Sequence, residues 1–245
     1  MVTWNIHHGA DAWDHLDLGA VAAVLDACAA DVVALQEVDR HWDERSDDVD
    51  QTAWLSERLG MHGIHGWTVR RVRRDRSADG RHGNALLSRQ PWTGRQVTRF
   101  ADVAGVERRG VVAGTTRTPL GPVRFVSAHL STRHASLRSA EVGQLLTVVA
   151  KDRAAAVRTP VVVAGDFNAE PRNPELADLA DTLTDAWRGS RQGLGDTAPA
   201  AKPWRRTDHV WVGGLTAVGA AVLRTEASDH LPVVVDLATP DEPVG

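Results

Sequence analysis

The stretch Val161–Glu170, VVVAGDFNAE, decides how the chain is read. Three β-branched residues run into Ala164 and Gly165, and Asp166, Phe167 and Asn168 follow. A short apolar run bounded by Pro160 and Gly165 fits an interior strand better than a helix. Its tip presents an acid and an amide. Strand tips in α/β proteins are where loops converge on a ligand while the sheet holds them still. For GDFN alone, a polar turn after a core strand is the plain alternative. The other strand ends decide between the two.

Further strands are expected at Met1–Ile6, Asp31–Val38, Ile64–Val72, Asn84–Ser88, Val97–Phe100, Gly110–Arg117, Val123–His129, Thr207–Val212, Ala217–Leu223 and Leu231–Leu237. Asp17 caps a helix whose apolar positions Leu18, Val21, Ala22, Leu25 and Cys28 keep a 3.6-residue period. Gln51–Leu59 reads as a helix closed by Gly60. Ser136–Lys151 has helical periodicity, and Glu170–Leu179 reads as a short helical segment. Asp39–Asp50 and Trp187–Trp204 read as loops, and Ala238–Gly245 as a loose tail. Neighbouring strands often lack a helix between them, which argues against a doubly wound parallel sheet. The expected architecture is α/β in the α+β sense: two mixed or antiparallel sheets packed face to face, with helices outside.

The chain has 245 residues, enough to bury one large core in a single domain spanning 1–245. The formal net charge of −4 excludes a polycation, so nucleic acid would have to be held by a local patch. Cys28 is the only cysteine; it excludes an intrachain disulfide and reads as a small core residue. No stretch is long and apolar enough to span a membrane. With no leader-like segment, the expectation is a cytoplasmic monomer; a leader already removed would leave no trace in the sequence.

Asn5, Glu37, Asn84, His129, Asp166, Asn168, Asp208, Asp229 and His230 each end or follow an apolar run. Each alone is explained by a cap or a turn, but the set has a chemical logic. Glu37, Asp229 and the Asn5 amide are hard oxygen ligands suited to Mg²⁺, or to Mn²⁺ in its place. Asp166 can take a proton from an attacking water. His230 and His129 can donate to phosphate oxygens. Asp208 can hold the His230 ring and favour its charged form. No GxSxG, P-loop, HExxH or Cys/His cluster of zinc spacing is present.

The motifs WNIHHG at 4–9, LQEVD at 35–39, HGNALLS at 82–88, SAHLS at 127–131, GDFN at 165–168, RTDHVWV at 206–212 and SDHLPV at 228–233 span nearly the whole chain. Taken in that order, the sequence resembles the endonuclease/exonuclease/phosphatase superfamily, the DNase I-like metal-dependent phosphohydrolases. The resemblance implies a four-layer α/β sandwich and Mg²⁺-dependent hydrolysis of a phosphate ester. It implies Glu37 as the main metal ligand, with Asn5 and Asp229 beside it. Asp166 would align or deprotonate the water, and Asn168 would bind the phosphate. His129 and His230 would stabilise the transition state, with Asp208 orienting His230. His7 falls where several relatives carry an acid, and is expected as a contact to substrate or to the metal's surroundings. His209 stands where an aromatic residue is common.

The substrate is left open between two classes. The mild acidity favours a small or lipid-linked phosphate mono- or diester. Arg70, Arg71, Arg73, Arg74 and Arg76 favour a nuclease, because the cluster leads into Gly83 and Asn84 and can grip a backbone. The same arginines can hold extra phosphates of a small substrate, or form a solvated basic loop. Asn84, His7, Arg70, Arg73 and Arg74 are the candidate substrate contacts. The tryptophans read mostly as core or core-edge residues; Trp187 and Trp204 flank the loop between them, with lining of a substrate cleft as the alternative. A binding module that has lost its chemistry would lack one of the site residues, and none is missing.

Overall fold

The computed structural model describes residues 1–73, 78–153, 159–189 and 193–240. Its strands are β1 (Val2–Asn5), β2 (Val32–Arg40), β3 (His62–Arg71), β4 (Gly80–Ser88), β5 (Thr93–Arg99), β6 (Gly110–Thr118), β7 (Gly121–His129), β8 (Val161–Asp166), β9 (Thr184–Asp185), β10 (Asp208–Gly213), β11 (Thr216–Val222) and β12 (Val233–Ala238). Its helices are α1 (Leu18–Ala27), α2 (Gln51–Leu59), α3 (Ala135–Arg153) and α4 (Ala177–Thr182). One six-stranded sheet has the order β11-β12-β1-β2-β4-β3, the other β5-β6-β7-β8-β10-β9. Each contains one parallel pair, β1 with β2 and β7 with β8, among antiparallel neighbours. Both sheets are therefore mixed, as expected.

Three apolar layers hold the four-layer sandwich together. Val2, Trp4, Val33 and Leu35 face Val21 and Leu25 of α1 and Leu55 of α2. On the opposite face of the same sheet, Val32, Ala34 and Leu86 meet Val112, Val162, Ala164 and Val210 of the second sheet. Val111, Val126, Val161 and Val163 then face Val142, Leu145 and Val149 of α3. Successive side chains of β8 thus point into two different cores, because a strand alternates its faces. Burial on both faces is why VVVA reads as an unbroken apolar run.

Local capping follows the sequence. Asp17 Oδ1 accepts from the Ala20 amide at 2.8 Å, and Asp50 Oδ1 from the Ala53 amide at 3.0 Å. Gly60 ends α2 at φ +62°. The sequence reading ends β2 too early. Asp39 and Arg40 continue the ladder opposite His82 and Arg81, and β4 begins at Gly80. A charged residue stays in this buried strand because its charge is met: Arg45 Nε and Nη2 reach the two Asp39 oxygens at 2.8 and 2.9 Å, and His82 Nδ1 reaches Oδ1 at 2.7 Å. The segment Trp187–Trp204 also carries more order than a loop, with a 3₁₀ turn at Ala186–Gly189 and a bridge from Ala198 to Arg205. No helix among the described residues is long and apolar enough to cross a membrane.

Candidate active site

The site lies where the parallel pairs of both sheets end. His129 closes β7 beside Asp166 at the tip of β8, and Asp208 opens β10 opposite Asp166. Asn5 closes β1 beside Gln36 of β2. Glu37 owes its aim to a bulge. The β2–β4 register jumps from Leu35 with Ala85 to Val38 with Gly83, so Gln36 and Glu37 share one place on the partner. Glu37 takes the left-handed conformation there, φ +55°, which costs an L-residue about 1 kcal/mol. At that bend its carboxylate meets the Asn5 amide of the neighbouring strand β1.

Asp166 is the hub. Its Oδ2 accepts from Asn5 Nδ2 at 3.2 Å and lies 3.5 Å from His129 Nε2 and 3.8 Å from His230 Nε2. The same Asn5 amide reaches Glu37 Oε1 at 3.1 Å, while Asn5 Oδ1 accepts from the His7 amide. Asn168 sits at φ +50°, a conformation asparagine tolerates. Its amide N–H donates to Asp166 Oδ1 at 2.9 Å, and its Nδ2 lies 3.2 Å from His129 Nε2 and 3.0 Å from the Leu130 carbonyl. Behind His230, Asp208 Oδ2 receives His230 Nδ1 at 2.8 Å and the hydroxyls of Thr197 and Thr207 at 2.5 and 3.2 Å.

Burial and charge set the protonation states. Burial, together with the negative charge of Asp208, pushes the Asp166 carboxyl well above the usual carboxylate range. Burial pulls His230 down, but Asp208, Asp166 and Asp229 outweigh it and hold the ring above its usual value. Burial and the Arg109 guanidinium push His129 well below. Arg109 Nη1 lies 3.2 Å from His129 Nδ1. The Arg109 guanidinium at Nδ1 and the Asn168 amide nitrogen at Nε2 are both donors, so the two ring nitrogens compete for the one acceptor role of a neutral imidazole, with Asp166 as the acceptor beside Nε2. Burial would raise Glu37, yet the positive groups around it, His129, His82 and Arg109, and the Asn5 amide hold it below the usual range. With His129 uncharged at neutral pH, Arg109 is the lasting counter-charge.

The donors fit a hard divalent cation. Glu37, Asp166, Asp208 and Asp229 bring four carboxylates to a site whose positive groups are His230 and Arg109, and Arg109 is shared with Glu107 at 2.6 Å. Ligand atoms of Asp166, Asp208 and His230 lie within 4.8 Å of one another, and Asp208 Oδ1 is buried without a hydrogen-bond partner. Oxygen donors of this kind suit Mg²⁺ or Mn²⁺.

Asn5, Glu37, His129, Asp166, Asn168, Asp208 and His230 thus form one connected cluster. Asp229 is half-buried beside it; its carbonyl accepts from the Ala200 amide at 2.7 Å. The other expected residues lie differently. Asn84 is buried, and its Nδ2 is spent on the Gly110 and Ser127 carbonyls at 2.8 and 3.3 Å, so it ties the two sheets together rather than facing a substrate. Arg70 pairs with Asp79 at 2.5 Å, Arg71 with Asp43, and Arg73 with Asp48 and the His41 carbonyl. Arg70, Arg71 and Arg73 are therefore each paired with an acid; Arg74 and Arg76 lie outside the described residues. Trp187 is buried in the core between the sheets and does not line a cleft, whereas Trp204 is exposed with Arg205 stacked 4.5 Å from its ring centre. His209 packs in the core, its ring 5.1 Å from that of Phe167 at 11°.

Sequence reasoning gave no role to Arg109, Thr197, Asp39, Arg45 or His82. Asp39 and His82 sit inside quoted motifs, and that was their signal. Arg109 and Thr197 carry none, since only the fold brings them to His129 and Asp208.

The uncharacterised protein YbhP of Escherichia coli strain K12 is 28% identical over 258 residues, covering 97% of this chain and 95% of its own. An endonuclease/exonuclease/phosphatase structure from Beutenbergia cavernae is 30% identical, with a TM-score of 0.82, over 100% of this chain and 72% of that one. The mannosyl-6-phosphatase Bt3783 of Bacteroides thetaiotaomicron shares the fold at 16% identity and a TM-score of 0.76, covering 97% and 98%. The profile of the Endonuclease/Exonuclease/phosphatase family matches residues 2–230, and the chain belongs to that family.

Proposed function

We propose that this protein is a divalent-metal-dependent phosphoesterase that hydrolyses a phosphate mono- or diester of a small or lipid-linked substrate by in-line attack of water. One observation carries the reading: Asp166 Oδ2 is surrounded by Asn5, His129 and His230, and Asn5 links it directly to Glu37.

Glu37, with Asp229 and Asn5 beside it, would hold Mg²⁺, or Mn²⁺ in its place. The ion supplies charge neutralisation at the phosphate oxygens. Asp166, ionised, accepts the proton of the attacking water. Its raised proton affinity makes it a stronger base than an exposed carboxylate. His230, held charged by Asp208, donates from Nε2 to a non-bridging oxygen whose negative charge grows in the transition state. His129 can donate from Nε2 without carrying charge in the tautomer whose Nδ1 accepts from Arg109. Asn5 holds the two carboxylates at one spacing, and Asn168 offers its amide to the phosphate.

A small or lipid-linked ester is favoured over nucleic acid by the net charge of −4 and by the acids that pair Arg70, Arg71 and Arg73. The name of the Bacteroides relative, a phosphatase of a phosphorylated sugar, points to the same class. A panel of a phosphomonoester, a phosphodiester, inositol phosphates, sphingomyelin, DNA and RNA, each with and without Mg²⁺, tests the reading. Mg²⁺-dependent turnover of a small or lipid ester with nucleic acid untouched is expected. Cleavage of nucleic acid alone, falling steeply with salt, would assign a nuclease instead.

A further inference from the structure

Beside the catalytic cluster, the loop after β1 brings together a second group of metal-binding atoms. The His7 amide is bonded to Asn5 Oδ1, so the loop starts at the wall of the site. Asp11 folds it: Oδ1 accepts from the amides of Trp13 and His15 at 2.7 and 2.9 Å. The fold carries Asp14 back over two adjacent imidazoles whose ring centres are 4.4 Å apart. Asp14 Oδ1 lies 3.6 Å from His7 Nε2 and 3.9 Å from His8 Nε2, and the three ligand atoms lie within 4.8 Å of one another. A tetrahedral Zn²⁺ with ligands at about 2.0–2.1 Å has edges of about 3.4 Å, close to the spacings of Asp14 Oδ1 from the two ring nitrogens.

Two further observations point to a ligand. His7 Nδ1 donates to the Asp11 carbonyl at 3.0 Å, which leaves the Nε2 lone pair turned toward Asp14, the arrangement that orients metal-bound histidines. His8 is buried to 7% exposure, and among the described residues its ring makes no hydrogen bond; the His7 ring and Asp14 lie beside it.

We propose that His7 Nε2, His8 Nε2 and an Asp14 carboxylate oxygen form a binding site for a borderline divalent transition ion of the Zn²⁺ class, separate from the Glu37 centre. Two imidazoles and one carboxylate select such an ion over Mg²⁺, which prefers oxygen alone. Three protein ligands leave a fourth position for water or an anionic oxygen. The site goes beyond the phosphoesterase reading and does not depend on it. It also has no spacing that a zinc motif would reveal, because Asp14 reaches the histidines only through the Asp11 turn.

The test is binding of Zn²⁺ by titration calorimetry, and of Co²⁺ by its visible absorption, to the full chain in excess Mg²⁺. His8→Ala, Asp14→Ala and Glu37→Gln are measured beside the native protein, with circular dichroism as the check on folding; the Asp14 side chain is 78% exposed, so its variant should fold. One ion per chain is expected, bound at least tenfold more weakly by both His8→Ala and Asp14→Ala and equally well by Glu37→Gln. A smaller effect from either of the first two variants overturns the site. So does any loss in Glu37→Gln, which would place the ion in the catalytic cluster.

Discussion

His230 and Asp208 meet at 2.8 Å through Nδ1 and Oδ2, which leaves the opposite ring nitrogen of His230 aimed at Asp166, 3.8 Å away. One buried carboxylate therefore acts on two titrating groups. Its negative charge favours the protonated form of both His230 and Asp166, in each case against or alongside the effect of burial.

The proposed reaction needs Asp166 ionised and His230 charged. It should fall on the acid side as pH drops through the raised Asp166 value, and on the alkaline side as pH rises through the raised His230 value. Asp208→Asn removes the charge that raises both. Both limbs of the kcat/KM profile should move to lower pH, by roughly one unit or more, with activity down about 10–100-fold. A profile that narrows or stays in place contradicts the assignment.

Glu37 is ionised, half-buried and set at the site by the β2 bulge. Glu37→Gln keeps the shape and removes the charge. The Mg²⁺ concentration for half-maximal activity should rise at least about tenfold, by analogy with loss of a metal-site partner. An unchanged Mg²⁺ titration would show that the ion binds elsewhere.

His209 is a stability switch built into the core. It is fully buried and neutral; burial, with the Arg206 charge, lowers its pKa to about 4. Its Nε2 donates to the Arg206 carbonyl at 2.8 Å. The unfolded chain takes up a proton at this position first as pH falls. Stability present above pH 6.5 is therefore lost between 6.5 and 4, by up to about 3 kcal/mol from this residue. Urea unfolding of His209→Phe should show a shallower loss over that window. An identical slope would exclude His209 as a source.

Gly165 explains why the motif at the end of β8 carries a glycine. A Cβ there would stand 1.8 Å from the Ala128 carbonyl oxygen, in the parallel ladder that aligns His129 with Asp166. Gly165→Ala should cost at least about 3 kcal/mol and lower kcat, because the two strands that present the catalytic groups must part. Native thermal stability in this variant would contradict the packing.

The residues that sequence reasoning found are those whose signal is local. Val161–Asp166 declares a strand by its unbroken apolar run, and α2 declares its end through Gly60. Asn5, Glu37, His129, Asp166, Asp208 and His230 are legible because each sits at the tip or bulge of such a strand. What stayed hidden depends on partners distant in the chain. Asp39 looks like a loop residue until Arg45 and His82 close on it. Arg73 looks like a free cation until Asp48 meets it. Trp187 reads as a core residue with a cleft role as the alternative, and the packing between the sheets decides for the core. His209 replaces an aromatic ring by stacking on Phe167, a substitution only the core makes plain.

The account turns on Asp166 as the group that takes the proton from water. The most direct measurement is single-turnover hydrolysis of the best phosphate ester by Asp166→Asn, with Mg²⁺ saturating and the fold checked by circular dichroism. A fall in rate of roughly 10²–10⁴-fold, with substrate and Mg²⁺ binding little changed, is the predicted result. Turnover within a few-fold of the native rate would contradict it, and would move the proton acceptor away from the end of β8.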